Sequence, residues 1–325
     1  MLQLAVLAVL FIGSFTLSPG DAVAEPYPSK PIKLVVAQPP GGQTDVIVRL
    51  LGDRLSELWK TPAVVEYHGG AGGTIGADLV AKAPADGYTL LAGGLSNLAI
   101  AAALVKDLRY DPIRDFAPVG GMARVPYALA VNRSVPATTL PELIAYARAH
   151  PGRLTYGSGG IASSSSLGAE MLKSMAEIDI VHVAYRGTAP SIQALVSGEV
   201  DMMFADLSLL APHAKGGTLR LIAAAGAKRA TAAPELPTVV EQGVPGFAIE
   251  PWYGVVAPMG TPPDVLAKLA EGLHETVRTR EIVQRLEQLG YEPMMDTPAQ
   301  FGAFIRSEAE KYAALIKRAG IIGAP

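Results

Sequence analysis

Cysteine is absent from this sequence. Its absence excludes disulfides, thiolate metal sites, a cysteine nucleophile and a lipidated N-terminal cysteine. Charge is sparse as well: 18% of residues are charged and the formal net charge is -3. Such a balance gives no electrostatic footprint for nucleic acid, so no nucleic-acid partner is expected. The five histidines never fall at ligand spacing and no close Asp/His cluster accompanies them, so no metal is expected. A phosphate-cradling G-x-x-x-x-G-K-S/T loop is missing, and so is a G-x-S-x-G nucleophile elbow. Apolar runs of bilayer length are missing too. The longest candidate is "LAVLAVLFIGSF", Leu4–Phe15. It has about the length of a signal-peptide apolar region and is too short for a comfortable membrane span. No Lys or Arg precedes it, but Ala22-Val23-Ala24 has the small-x-small pattern of a cleavage site. The expectation is a secreted chain cut near Ala24, with residues 1–24 as signal peptide. A retained anchor is the alternative.

What is present is apolar. Half of the 325 residues are hydrophobic, enough for a substantial core in one large domain or two ordinary ones. "PIKLVVAQ" (Pro31–Gln38) reads as a buried strand. Asp45–Trp59 then places Ile47, Leu50, Leu51, Leu55 and Leu58 on one helical face. Strands at 63–67 and 87–93 alternate with further helical stretches. A second series starts at Tyr127–Asn132 and continues through strands at 154–158, 179–185, 200–206 and 219–226. "YGVVAP" (Tyr253–Pro258) is a last strand, after which only helices are expected, near 263–279, 281–289 and 298–318. Strand–helix alternation implies mainly parallel sheets with helices on their faces. Two such series suggest two α/β lobes, and the lack of a tether between them suggests crossing strands. The expected division is 25–125 plus 250–325 for the first lobe and 126–249 for the second.

Four glycine- or serine-rich turns follow strands: Pro39–Asp45, Gly69–Gly76, Gly93–Asn97 and Gly157–Ser166. Ligands of open α/β sheets bind beyond the carboxyl ends of strands. A helix N-terminus there supplies free N–H groups and about half a positive charge. Gly70, Gly72 and Gly76 approach a dinucleotide pattern, but the third glycine is one residue late. The acidic residue expected about twenty positions on is also absent. A hydrolase would need Ser158 or one of Ser163–Ser166 next to a histidine base, and His182 lies in mid-strand. The serine run fits better as a neutral, donor-rich cradle for a carboxylate, although simple N-capping needs one serine of the four.

Several segments together carry a resemblance: "PPGGQTD", "GGAGGTIGADLVAKAPADGYTLL", "LRYDPIRDFAPVG", "TYGSGGIASSSSLGAEML", "VHVAYRGTAPSIQALVSGEVDMMF", "LPTVVEQG" and "WYGVVAPMGTPPDVLAKL". In order and spacing, from about Tyr27 to Gly320, the chain resembles the tripartite tricarboxylate transporter substrate-binding proteins, also called Bug proteins. The resemblance implies a two-lobed periplasmic binding protein fold of type II-like topology, with the ligand cleft between lobes. It implies a periplasmic location, no cofactor and no catalysis. The implied partners are a small organic acid ligand and the membrane permease subunits of a tripartite transporter, served by a monomer.

Mapped onto this sequence, the family's ligand-binding positions are Gly41, Gly42, Thr44 and Asp45 in the first turn, then Ser96 and Asn97. In the second lobe they are Ser158, Gly160, Ser163, Tyr185, Gly187 and Asp206. The sequence departs from the family at Tyr67, His68 and Gly69, where Asn, a basic residue and Pro are common. Ala162 also replaces a glycine, and Ser166 stands where His is frequent. Asp45 is the awkward member, because a free carboxylate there repels an anion. Two rivals remain open at this level: a secreted enzyme acting on a carboxylic acid, and a sensor subunit signalling one.

Overall fold

The computed structural model describes residues 27–321, so the expected signal segment lies outside the described residues. The first series runs β1 (Ile32–Val36), α1 (Gln43–Trp59), β2 (Ala63–Tyr67), α2 (Thr74–Ala81), β3 (Thr89–Gly94), α3 (Ala101–Leu104) and β4 (Phe116–Arg124). The second runs β5 (Tyr127–Asn132), α4 (Leu140–Ala149), β6 (Thr155–Ser158), α5 (Ser164–Met175), β7 (Val181–Ala184), α6 (Thr188–Ser197), β8 (Met202–Asp206), α7 (Leu207–Lys215) and β9 (Leu219–Ala224). The chain then returns through β10 (Trp252–Pro258), α8 (Pro263–Arg278), α9 (Arg280–Gln288), β11 (Glu292–Pro293) and α10 (Pro298–Arg318).

Two mixed sheets result. The first has six strands in the order β11-β4-β10-β3-β1-β2, and the second has five in the order β7-β6-β8-β5-β9. In the first, β1 is parallel to β2 and β3, while β10 is antiparallel to both β3 and β4. In the second, β6 is parallel to β7 and β8, and β5 is antiparallel to β8 and β9. Helices cover the sheets, giving two α/β lobes. Only Val125 and Pro126 separate β4 in one sheet from β5 in the other. The return path runs beside this crossing: Val125 N–H donates to Pro251 O at 2.8 Å, and Ala225 N–H donates to Tyr127 O at 2.8 Å.

Local chemistry explains the elements. Ile47, Leu51 and Leu55 are buried along one face of α1, which ends at Lys60 in a left-handed conformation. Thr139 and Glu142 form a reciprocal capping box at the start of α4, and Thr297 with Gln300 forms another on α10. α10 packs on the first sheet, where Trp252 meets Phe301 and Phe304 edge-on and donates its indole N–H to buried Glu308 at 2.9 Å.

Three elements differ from expectation. β4 is a nine-residue strand that Pro118, Gly120 and Gly121 disguise. The glycines are there because Leu273 of α8 and Met294 pack directly on them. α7 contains Pro212 and lies between two strands expected to follow one another. β11 is a short strand among the last helices, added to the sheet edge against β4.

Candidate functional site

The carboxyl ends of β1 and β3 carry the first jaw. Gly42 caps α1 without a side-chain bond, and this end of the helix lies against Thr188 and Ala189 of the other lobe. Asp45, in the first turn, is fully engaged by the protein. One carboxylate oxygen accepts Gly41 N–H at 2.8 Å, and the other accepts Arg49 Nε at 2.6 Å and the Tyr67 hydroxyl at 2.6 Å. Burial alone pushes its pKa up, but the bonds from Tyr67, Gly41 and Arg49 outweigh burial and hold it below the usual value. Asp45 is therefore a neutralised brace, and the departure at Tyr67 is its partner. His68 approaches Glu66 at 3.6 Å on the exposed side of the same strand end. After β3, Ser96–Ile100 forms a wide turn of π-helix, a distortion common at functional sites. It aims Asn97 Oδ1 at the Gly94 N–H, 2.9 Å away.

The second jaw is the serine turn after β6. Ser163 caps α5, accepting Ser166 N–H at 3.2 Å. The remaining serines are also used: Ser165 Oγ accepts Gly159 N–H at 3.1 Å, and Ser164 reaches the other lobe. Ser158 is wholly buried, with its Oγ 2.6 Å from His182 Nε2. His182 stacks flat on Tyr156, and burial lowers its pKa. Ser158 is thus directed into the second lobe. Tyr185 turns its hydroxyl outward to Glu199 at 2.7 Å, while the start of α6 at Gly187 and Thr188 faces α1.

The jaws touch. Ser96 Oγ lies 3.1 Å from Ser164 Oγ and accepts Ser164 N–H at 3.1 Å. A Cβ added to Gly187 would sit 2.8 Å from Pro39 Cδ, and one on Gly72 would sit 3.1 Å from Ala162. Between them remain a cavity of about 60 Å³ beside Pro39, Gly72 and Tyr185, and one of about 10 Å³ beside Thr44, Ser96 and Tyr253. Arg186 is the basic side chain lining these spaces. Pockets for small molecules usually have about 300 Å³ or more, so a ligand enters only if the lobes part. A groove of about 640 Å³ lies elsewhere, between α5 and the end of α10.

Beneath the jaws runs a buried polar network that composition alone did not reveal. Gln43 Nε2 donates to the Tyr127 hydroxyl at 2.6 Å, and buried Tyr253 lies close to both and to Thr44. Asp206, fully buried at the end of β8, accepts Ser208 N–H at 2.8 Å and the Tyr291 hydroxyl. Gln43, Tyr253 and Tyr291 belong to the first lobe; Tyr127, Asp206 and Ser208 belong to the second. The signal available in sequence was a tyrosine at the start of β5 and of β10, flanking each crossing.

Residues 47–321 match the model of the tripartite tricarboxylate transporter family receptor. The chain belongs to this receptor family. The solved structure of the periplasmic binding protein BugD is 31% identical with a TM-score of 0.87, covering 92% of this receptor and 100% of its own chain. An R. palustris protein with adipate is 34% identical with a TM-score of 0.88, covering 92% and 100%. MatC from Rhodopseudomonas palustris with bound malate is 30% identical with a TM-score of 0.86, covering 89% and 100%. The receptor therefore has the two-lobed periplasmic binding protein fold and is a solute-binding protein of the tripartite tricarboxylate type.

Proposed function

We propose that this receptor captures a small organic carboxylate between its lobes and delivers it to the permease subunits of a tripartite transporter. The observation that carries the reading is the meeting of helix N-termini from both lobes, α1 after Gly42 against α6 after Gly187, with α5 after Ser163 beside them. The positive ends of three helices converge there, which suits a carboxylate held without a salt bridge. Two relatives of the same fold hold dicarboxylates, adipate and malate.

In this reading Gly41, Gly42, Thr44, Ser96, Asn97, Gly160, Ser163, Tyr185 and Gly187 form the contact surface. Asp45, Ser158 and Asp206 hold that surface from behind, because their polar atoms already have protein partners. The lobes divide at 125/126 and 249/250, where the two crossing segments lie side by side. The chain is exported, cut near Ala24, and works as a periplasmic monomer without catalysis. Closure is a hinge motion favoured by a ligand that touches both lobes.

Thermal shift against a panel of acids and neutral solutes tests the reading. Adipate, malate or a related carboxylate is expected to raise the melting temperature. Stabilisation by a neutral sugar alone, with no acid active, would overturn it.

A further inference from the structure

Asp206 is a buried carboxyl with no cation beside it among the described residues. Its oxygens accept Ser208 N–H and the Tyr291 hydroxyl. Of the described residues, the titratable groups facing it are Tyr291 between α9 and β11, Tyr253 on β10 and Tyr127 on β5. Ser208 on α7 is the other hydrogen-bond partner. Ser208 and Tyr291 donate hydrogen bonds to it, and none of these groups brings a compensating charge. A carboxylate placed so is costly, and such a group ordinarily protonates instead. The shielding is shared between the lobes, since Tyr291 and Tyr253 come from the first and Tyr127 and Ser208 from the second. Any parting of the lobes that separates Tyr291 from Asp206 would therefore open the carboxyl to water. Tyr127, opposite Asp206 in the β5–β8 pair, accepts from Gln43 Nε2, and Gln43 precedes Thr44 on the first jaw.

We propose that closure of the lobes takes up a proton at Asp206, so that the receptor captures its anionic ligand together with a proton. The proposal rests on the carboxylate reading of the cleft for its ligand, and on the buried network for its proton. Burial pushes Asp206 up to about 6 in the closed arrangement. An Asp open to water titrates near about 3.9. The closed form therefore holds more protons than the open form between about pH 4 and pH 6, and closure strengthens as pH falls through that window. A bound anion raises Asp206 further by like-charge repulsion, which extends the window upward.

Isothermal titration of adipate and malate in two buffers of different ionisation enthalpy, near about pH 6, reads the protons directly. Wild type is expected to take up about half a proton per ligand beyond what Asp206→Asn takes up, the ligand's own titration cancelling between them. Equal proton counts in the two proteins would overturn the proposal. If no acid of the thermal-shift panel binds, the carboxylate reading fails, and scattering of the protein alone decides the proton. The radius of gyration must fall between about pH 7 and pH 5 in wild type but not in Asp206→Asn; parallel behaviour overturns it. If Asp206→Asn does not fold, Tyr291→Phe serves. Loss of its donor must move the proton window to higher pH, and an unmoved window counts against the proposal.

Discussion

Asp45 shows how a residue can be readable and still misleading. Its place at the first turn of α1, next to an anion-seeking turn, is plain in the sequence. Its charge is offset by Arg49 one turn on and hydrogen-bonded by Tyr67 on β2, and only the fold brings Tyr67 within 2.6 Å. Tyr67→Phe removes one bond to a charged, mostly buried group and is expected to cost about 1 kcal/mol, read from the urea midpoint. The sign with pH follows from the direction of the shift. Asp45 is held below its usual value, so its contribution is present above the unfolded pKa and fades as pH falls through the folded one. The gap between Tyr67→Phe and wild type should therefore be full at neutral pH and narrow in acid. Gly187 is the second telling residue. Its φ of 115° suits glycine, and an added Cβ meets Pro39 of the opposite jaw. Gly198, at φ 79°, meets nothing closer than 3.5 Å. Alanine at either position should cost about 1–3 kcal/mol of stability through backbone strain. Only Gly187→Ala should also weaken adipate or malate binding by titration calorimetry; equal losses of affinity at both would show that the jaws do not close as drawn.

At the scale of elements, the sequence announces helices better than strands. The capping box of α4 is written in four consecutive residues, Thr139 to Glu142, and its strength can be checked alone. Thr139→Ala is expected to lower stability by about 1 kcal/mol in chemical denaturation with no change in ligand affinity, since α4 lies outside the cleft. β4 is the counter-case. A strand containing Pro118 and two glycines reads as a loop, because its glycines answer to Leu273 and Met294, far along the chain. α7 is obscured in the same way by Pro212. Both elements gain their stability from packing and pairing with neighbours, which no local pattern records. The serine run was legible as a donor-rich turn. The division of labour within it was not: Ser163 caps, Ser165 braces Gly159, and Ser164 meets Ser96 across the cleft.

The whole molecule is two lobes that meet at the jaws through the Ser96–Ser164 pair and the close approaches of Gly187 to Pro39 and Gly72 to Ala162. Ser96→Ala removes a hydroxyl that bonds both Ser164 Oγ and Ser164 N–H. Loss of about 1 kcal/mol from the closed state corresponds to about fivefold weaker binding of a carboxylate probe. Affinity by calorimetry should fall while the melting temperature of the free protein, measured without ligand, moves little. A large drop in melting temperature with unchanged affinity would assign the pair to folding instead. The sequence by itself determined the alternating α/β elements, their caps, the glycine turns beyond the strands and the family. These are set by periodicity and by neighbours a few residues apart. Only the tertiary structure decided which polar groups remain free for a ligand. Gln43 meets Tyr127 across 84 residues and Asp206 meets Tyr291 across 85. Pairings at that separation depend on how two sheets are joined and brought face to face. A buried polar atom takes the partner the fold delivers, and the turn residues left over become the jaws.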